Sequence, residues 1–383
     1  MDAPMDAKLR PLPLFDIKSE QASFAVELRR RLDAVLAHGQ FILGPEVAEL
    51  ERQLAAYCGA KHCVGVSSGT DALVIALMAE GIGAGDAVFL PAFTYTATAE
   101  VPLLLGAKPV FVDIDPRTFQ IDPADLERRI AFVKAAGKFR PRALIGVDLF
   151  GQPANWVALN AITEKTGLFT LDDCAQSFGA TLQGRPLGTF ADATAVSFFP
   201  TKPLGGLGDG GALFTESDAR AALYRSLRSH GEGDTRYEVL RIGINGRLDT
   251  LQAAALLARL TVFDDALAAR ERVARAYERH LAGIVETPAR MPESTSVWAI
   301  YSVLLPAPEA RANVQAALKE AGIGSNIYYP RPLHLQPAYQ AQHDGAPLPV
   351  SEEIATRILA LPMHPGLEDA DIARIAEVLR AAL

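Results

Sequence analysis

The sequence predicts an α/β protein: a large domain on a mostly parallel sheet, then a smaller α+β domain at the C-terminal end. Three observations predict it. Apolar, β-rich runs, Val88-Phe89-Leu90, Pro109-Val110-Phe111-Val112 and Ala143-Leu144-Ile145-Gly146-Val147, alternate with helical spacing such as that of residues 126–136. Such alternation marks βαβ units whose strands are buried on both faces. A further strand-length run, residues 193–199, leads into Gly205-Gly206-Leu207-Gly208-Asp209-Gly210-Gly211, which is too rich in glycine to hold regular structure. Beyond residue 282 the pattern changes to one strand, 297–304, and helices at 311–321, 352–359 and 369–383, so the expected domains are 1–265 and 266–383.

Taken in order, residues 19–38 carry Phe24, Val26, Leu28, Leu32, Val35 and Leu36 at helical spacing, and Gly39 stops the pattern. Gly44-Pro45 opens a second helix, 46–57, with proline where its missing N–H costs nothing. Cys63-Val64-Gly65-Val66 reads as a strand and 70–79 as a helix, so Ser67-Ser68-Gly69-Thr70 forms the turn between them. Residues 249–281 read as one long helix, with Leu251, Ala254, Leu257, Leu260 and Val262 on one side.

A chain of 383 residues with 49% hydrophobic and 21% charged content has material for a sizeable core. The net charge of -8 without a basic run argues against nucleic acid as a partner, so any phosphate binding must be local. No apolar stretch approaches bilayer-spanning length and the start lacks a long apolar leader, so no membrane partner and a cytoplasmic location are expected. Cys58, Cys63 and Cys174 form neither a disulfide framework nor a metal-ligand spacing with the scattered histidines, and read as buried small side chains. No metal is expected.

The chemistry is centred on Ser197-Phe198-Phe199-Pro200-Thr201-Lys202. Lys202 falls on a loop at a strand's end, flanked by apolar residues and glycine. A desolvated lysine there has a depressed pKa and a nucleophilic amine, the group that forms Schiff bases with aldehydes such as pyridoxal phosphate. Such a cofactor needs a carboxylate to keep its ring nitrogen protonated. Leu171-Asp172-Asp173-Cys174-Ala175-Gln176 supplies one at the end of a short apolar strand. Taken alone, Asp172-Asp173 suits a helix cap or a turn; paired with Lys202, it suits a cofactor partner.

Five further residues fit the same ligand. The turn containing Gly69 and Thr70 aims helix N-terminal N–H groups outward, an anion site for a phosphate, although Ser-Ser-Gly-Thr alone is also a generic N-cap. Tyr95 follows a strand end, where an aromatic either packs in the core or lies on a ring. Gln176 and Ser197 are polar where a plain core would be apolar, and a cofactor's phenolic oxygen and phosphate would be their partners.

These motifs, with Pro91-Ala92-Phe93-Thr94-Tyr95 and Gly243-Ile244-Asn245-Gly246-Arg247-Leu248-Asp249, match in order those of the DegT/StrS sugar-nucleotide aminotransferases, and the chain resembles that family over nearly its whole length. The resemblance implies the fold-type I architecture of aspartate aminotransferase and pyridoxal 5'-phosphate as cofactor, with residues 1–265 as N-terminal helices and cofactor-binding domain. It implies Lys202 and Asp173 as the catalytic pair and a stacking aromatic at Tyr95. It also implies a homodimer with composite sites, in which Asn245 reaches the phosphate of the neighbouring subunit's cofactor, and L-glutamate as amino donor. His38-Gly39-Gln40, Ile42-Leu43-Gly44-Pro45-Glu46-Val47, residues 197–205 and Leu361-Pro362-Met363-His364-Pro365 look most like the enzymes that aminate UDP-2-acetamido-2-deoxy-3-oxo-glucuronate for surface polysaccharides.

For such a substrate, cationic groups that could hold a sugar carboxylate are Arg228 and His230 before the Asn245 loop, Arg247 within it, and Arg331 and His334 on a proline-rich loop with Tyr329. The same side chains also suit the diphosphate or glutamate's carboxylates. The family often has histidine where Tyr328 stands, so no role is carried to that position. Rival readings are a neutral dTDP- or UDP-linked keto sugar as substrate, a sugar dehydratase of the same group, against which Lys202 speaks, and a pyridoxal-binding regulator without turnover. A doubly wound nucleotide-binding module would need a glycine fingerprint after the first strand, and residues 67–70 lack that spacing.

Overall fold

The computed structural model describes residues 10–235 and 237–383. The first helical stretch is two helices, α1 (Ile17–Ala22) and α2 (Ala25–His38), not the single one its spacing predicts. Phe24 leaves the helical region at φ -123°, ψ 17°, and the Ser23 hydroxyl donates to the Glu20 carbonyl, a local bond that competes with helix continuation. α3 (Pro45–Cys58) begins with proline in its first turn and ends at a left-handed Gly59.

Alternating units follow: β1 (His62–Val66), α4 (Gly69–Ala79), β2 (Asp86–Pro91), α5 (Ala97–Leu104), β3 (Lys108–Val112), α6 (Pro123–Ala136), β4 (Arg140–Val147), α7 (Trp156–Thr166) and β5 (Phe169–Asp173). After a two-residue hairpin, β6 (Thr181–Leu182) with β7 (Arg185–Pro186), come β8 (Ala193–Ser197), β9 (Gly211–Thr215) and α8 (Asp218–Leu227). The sheet has seven strands in the order β1-β9-β8-β5-β4-β2-β3, and β9 alone runs against the others. One face packs on Leu50, Leu54, Trp156 and Phe178, the other on Leu73, Ile75, Val101 and Tyr224. Burial on both sides is why most of these strands read as largely apolar runs. The carboxyl ends of β2, β4, β5 and β8 therefore meet along one edge, the usual place for a ligand in such a sheet.

The predicted helix over 249–281 is broken into α9 (Thr250–Leu260) and α10 (Phe263–His280). Its apolar spacing runs through the break, but the Thr261 hydroxyl donates to the Ala258 carbonyl at 2.7 Å and the Val262 N–H turns to Arg259. The remaining elements are β10 (Tyr301–Leu304), α11 (Ala310–Glu320), α12 (Pro349–Arg357), β11 (Ile358–Leu361) and α13 (Asp369–Ala382). β10 is shorter than the predicted 297–304 because the N–H groups of Val297 and Ile300 bond to Gly151 and Phe150 of the large sheet's loops. The predicted helix 352–359 gives way at Ile358 to β11, which pairs antiparallel with β10: tertiary pairing overrides helical spacing. These elements enclose their own core, in which Tyr277 stacks on Tyr301 with centroids 4.5 Å apart. The three cysteines are free and buried. No helix among the described residues is long and apolar enough to cross a membrane.

Candidate active site

A cavity of about 670 Å³ opens at the carboxyl edge of the sheet, between the strand ends and the loop of residues 327–336. Lys202, Asp173, Gly69, Thr70, Tyr95, Gln176, Ser197, Tyr329 and Arg331 all lie on its wall. Lys202 is held by a tight turn after β8, its N–H bonded to the Phe199 carbonyl at 2.8 Å. Burial lowers its ammonium pKa to about 8, with the Asp173 carboxylate pulling the other way. The unprotonated fraction at neutral pH is therefore far larger than for an ordinary lysine.

Asp173 ends β5 and is 7% exposed. Its Oδ2 accepts from the Thr98 hydroxyl at 3.0 Å and its Oδ1 from the Ala175 N–H at 3.3 Å. Burial raises its pKa, while Thr98, Ala175 and the charge on Lys202 lower it. Gln176 is fixed at both ends: Oε1 accepts from the Phe150 N–H at 2.9 Å, and Nε2 donates to the Tyr329 hydroxyl at 3.2 Å. Tyr95 is half exposed into the cavity, its ring 6.4 Å from that of Tyr329.

The phosphate end is built by close approach. Ser68 caps α4, its hydroxyl accepting from the Asp71 N–H at 3.0 Å, so the N–H groups at the helix start face the cavity. A Cβ on Gly69 would lie 2.7 Å from Cβ of Ser197, and one on Gly211 would lie 2.5 Å from the Ser68 carbonyl, so only glycine lets the start of α4 meet β8 and β9 here. Thr94 also lines the cavity, and its buried hydroxyl has no partner among the described residues. A basic amine, a facing carboxylate, a helix N-terminus, an aromatic face and an unmatched buried hydroxyl together fit pyridoxal phosphate.

Five predicted residues are not on this wall. Arg228 is buried, its guanidinium donating to Glu51 at 2.6 Å and to the Gly65 carbonyl at 2.7 Å, so it is occupied in binding α3 to β1 and is not free for a sugar. His334 is 2% exposed and turns to Glu352 and the His343 ring. His230, exposed, and Arg247, half-buried, lie with the exposed Asn245 on a loop bridged to Ser229 and Val66, outside this cavity. Sequence reading missed Thr98, Thr94, Asp209, Phe15 and Gln336 on or beside the wall. Only Asp209, a lone acid among glycines two residues before β9, carried a local signal.

Fold and site together define a pyridoxal-phosphate-dependent aminotransferase. Residues 23–380 match the profile of the DegT/DnrJ/EryC1/StrS aminotransferase family. A Pseudomonas aeruginosa protein named UDP-2-acetamido-2-deoxy-3-oxo-D-glucuronate aminotransferase is 46% identical over 369 residues, 96% of this chain and 99% of its own. An Acidithiobacillus ferrooxidans protein named UDP-N-acetyl-3-dehydro-alpha-D-glucosamine 3-aminotransferase is 40% identical, covering 97% and 98%. The crystal structure of a DegT/DnrJ/EryC1/StrS aminotransferase from Brucella abortus superposes with a TM-score of 0.94 at 45% identity, over 97% of this chain and 99% of that one. The chain belongs to the DegT/DnrJ/EryC1/StrS aminotransferase family and is a sugar-nucleotide aminotransferase.

Proposed function

We propose that this enzyme moves an amino group from L-glutamate to the 3-keto carbon of UDP-2-acetamido-2-deoxy-3-oxo-glucuronate, for surface polysaccharide synthesis in the cytoplasm. The observation that carries the acid-sugar reading is Arg331. It lies exposed on the cavity wall, and no carboxylate pairs with it among the described residues. A guanidinium binds a carboxylate in a bidentate fashion, worth ~1.5–3 kcal/mol as a charged hydrogen bond. The Pseudomonas relative's name points the same way.

Within this reading the bound cofactor supplies an aldehyde for the amino group and a ring that draws electron density from the substrate carbon. Asp173 holds the proton of the ring nitrogen. Lys202, with its lowered pKa, takes and returns the proton at the reacting carbon. The α4 N-terminus, Thr70 and Ser197 would hold the cofactor's phosphate, and Tyr95 and Gln176 would hold its ring, with the Gln176 amide kept oriented by its bond to the Tyr329 hydroxyl.

The working unit in this proposal is a homodimer. Asn245 and Arg247 lie off their own cavity, beside exposed Ile42, Leu43, Leu240 and Ile242, an apolar surface suited to a second copy that receives Asn245 at its phosphate. We also infer units at 1–265 and 266–383, since α10 sends Phe263 into the sheet's core and Val273 and Tyr277 into that of β10 and β11.

The test compares kcat/KM for the UDP-3-keto-glucuronate derivative and its neutral 3-keto-glucose counterpart, in the native enzyme and in Arg331→Ala. A preference for the acid that Arg331→Ala removes supports the reading. Equal rates, or equal losses for both sugars, make the neutral sugar the substrate, as the name of the Acidithiobacillus relative would have it.

A further inference from the structure

Behind Asp173, on the side away from the cavity, two carboxyl groups are sealed from water. Asp172 precedes Asp173 on β5, so its side chain projects to the opposite face, and Asp148 follows β4. Both are 0% exposed, and carboxylate oxygens of the two lie within 4.8 Å of one another. Their partners are unequal. Asp148 Oδ1 accepts from the Ala154 N–H at 2.7 Å and the Trp156 indole N–H at 3.0 Å, and its Oδ2 accepts from the Ser177 hydroxyl at 3.2 Å. Among the described residues Asp172 has one donor, the Thr194 hydroxyl to Oδ2 at a long 3.4 Å, and none to its Oδ1. Neither carboxyl has an ion pair with a lysine, arginine or histidine among the described residues.

We propose that Asp172 is a positioning residue kept as the neutral acid, its O–H donated to the Asp148 carboxylate, so that one negative charge and not two lies behind Asp173. Three donors satisfy Asp148 as an anion, whereas a bare Asp172 anion would leave a buried charge almost unmatched, and protonation gives its orphaned oxygen a partner. The titratable groups around Asp172 are Asp148, Asp173 and the buried Cys174 thiol, none of them a cation. Burial first, then the neighbouring Asp148 and Asp173, push Asp172 far above the ordinary carboxyl range. The same burial raises Asp148, but its three donors make Asp172 the holder of the shared proton. The consequence reaches the active site: a second anion here would raise the proton affinity of Asp173, the group that has to stay ionised beneath the ring nitrogen. The backbone joins them as well, since the Asp148 N–H donates to the Asp173 carbonyl at 3.1 Å.

The role assigned to Asp173 rests on the proposed cofactor contact; the protonation of Asp172 does not, so the two can fail separately. The test is infrared spectroscopy of the cofactor-loaded enzyme with 13C-carboxyl aspartate. A protonated-acid band that persists at pH 8 in the native enzyme and vanishes in Asp172→Asn is expected. In urea unfolding between pH 5 and 7, native stability should fall with rising pH by one proton more than that of Asp172→Asn, because the folded chain keeps a proton that the unfolded chain releases. The midpoint of the visible absorbance titration should be the same in both, as a neutral group replaces a neutral group. No acid band at pH 8, or a midpoint displaced in Asp172→Asn, would overturn the proposal. If that variant does not fold, the absence of an acid band in the labelled native enzyme at pH 8 still overturns the proposal.

Discussion

The Thr98 hydroxyl donates to Asp173 Oδ2 at 3.0 Å, tying the first turn of α5 to the end of β5 beneath the cavity. The bond favours the ionised carboxylate against the burial that opposes it. Thr98→Val keeps the shape and removes the donor. Cofactor affinity should fall about tenfold, the loss of one hydrogen bond to a charged group. Asp173 is active as an anion, so activity is lost as pH falls through its pKa, and Thr98→Val should move that acid limb to higher pH. Cofactor titration and pH profiles of kcat/KM check both; an unmoved limb contradicts the role.

Gly69 should be intolerant of a methyl group. In Gly69→Ala the new Cβ meets Ser197 at its Cβ and Cα, 2.7 and 3.2 Å away, which no side-chain rotation relieves. The start of α4 must shift, at about 1–3 kcal/mol, and take the phosphate donors with it. Lower cofactor affinity and a lower Tm are expected, read by absorbance and thermal melts.

The lowered pKa of Lys202 has a signature in the apoprotein. The folded amine titrates at about 8 against a model-peptide value of 10.5. The folded state therefore disfavours the charged form, and stability should rise as pH climbs from about 8 towards 10.5. In Lys202→Met that rise should be absent. Denaturant midpoints across this pH range measure it, and parallel curves for the two proteins would contradict a shielded amine.

If Asn245 serves the neighbour's site, Lys202→Ala and Asn245→Ala chains, each inactive alone, should regain activity when mixed and reassembled, at one good site per heterodimer. A mixture that stays inactive, or an active monomer by sedimentation, contradicts the composite site.

The parallel strands were legible because burial on both faces leaves largely apolar runs at β2, β3, β4 and β8, Lys202 because it follows the end of such a run, and Asp173 because it comes just after the short stretch Leu168-Phe169-Thr170-Leu171. What escaped depended on distant partners. Arg228 reads as a free cation until Glu51, 177 residues away, is placed against it, and His334 reads as a loop histidine until α12 brings Glu352 to it. Thr98 is one threonine in a helix until β5 sets Asp173 beside it. The breaks at Phe24 and Thr261 escaped for a local reason: hydroxyl-to-carbonyl bonds end helices without interrupting the hydrophobic spacing.

Activity turns on Lys202 as the amine that joins the cofactor. Borohydride reduction of the yellow, cofactor-loaded enzyme, followed by peptide mass spectrometry, reads that bond directly. The phosphopyridoxyl mass is predicted on the peptide containing Lys202 and on no other lysine, with none in Lys202→Ala. An unmodified Lys202 peptide, or the added mass on a different lysine, would contradict it.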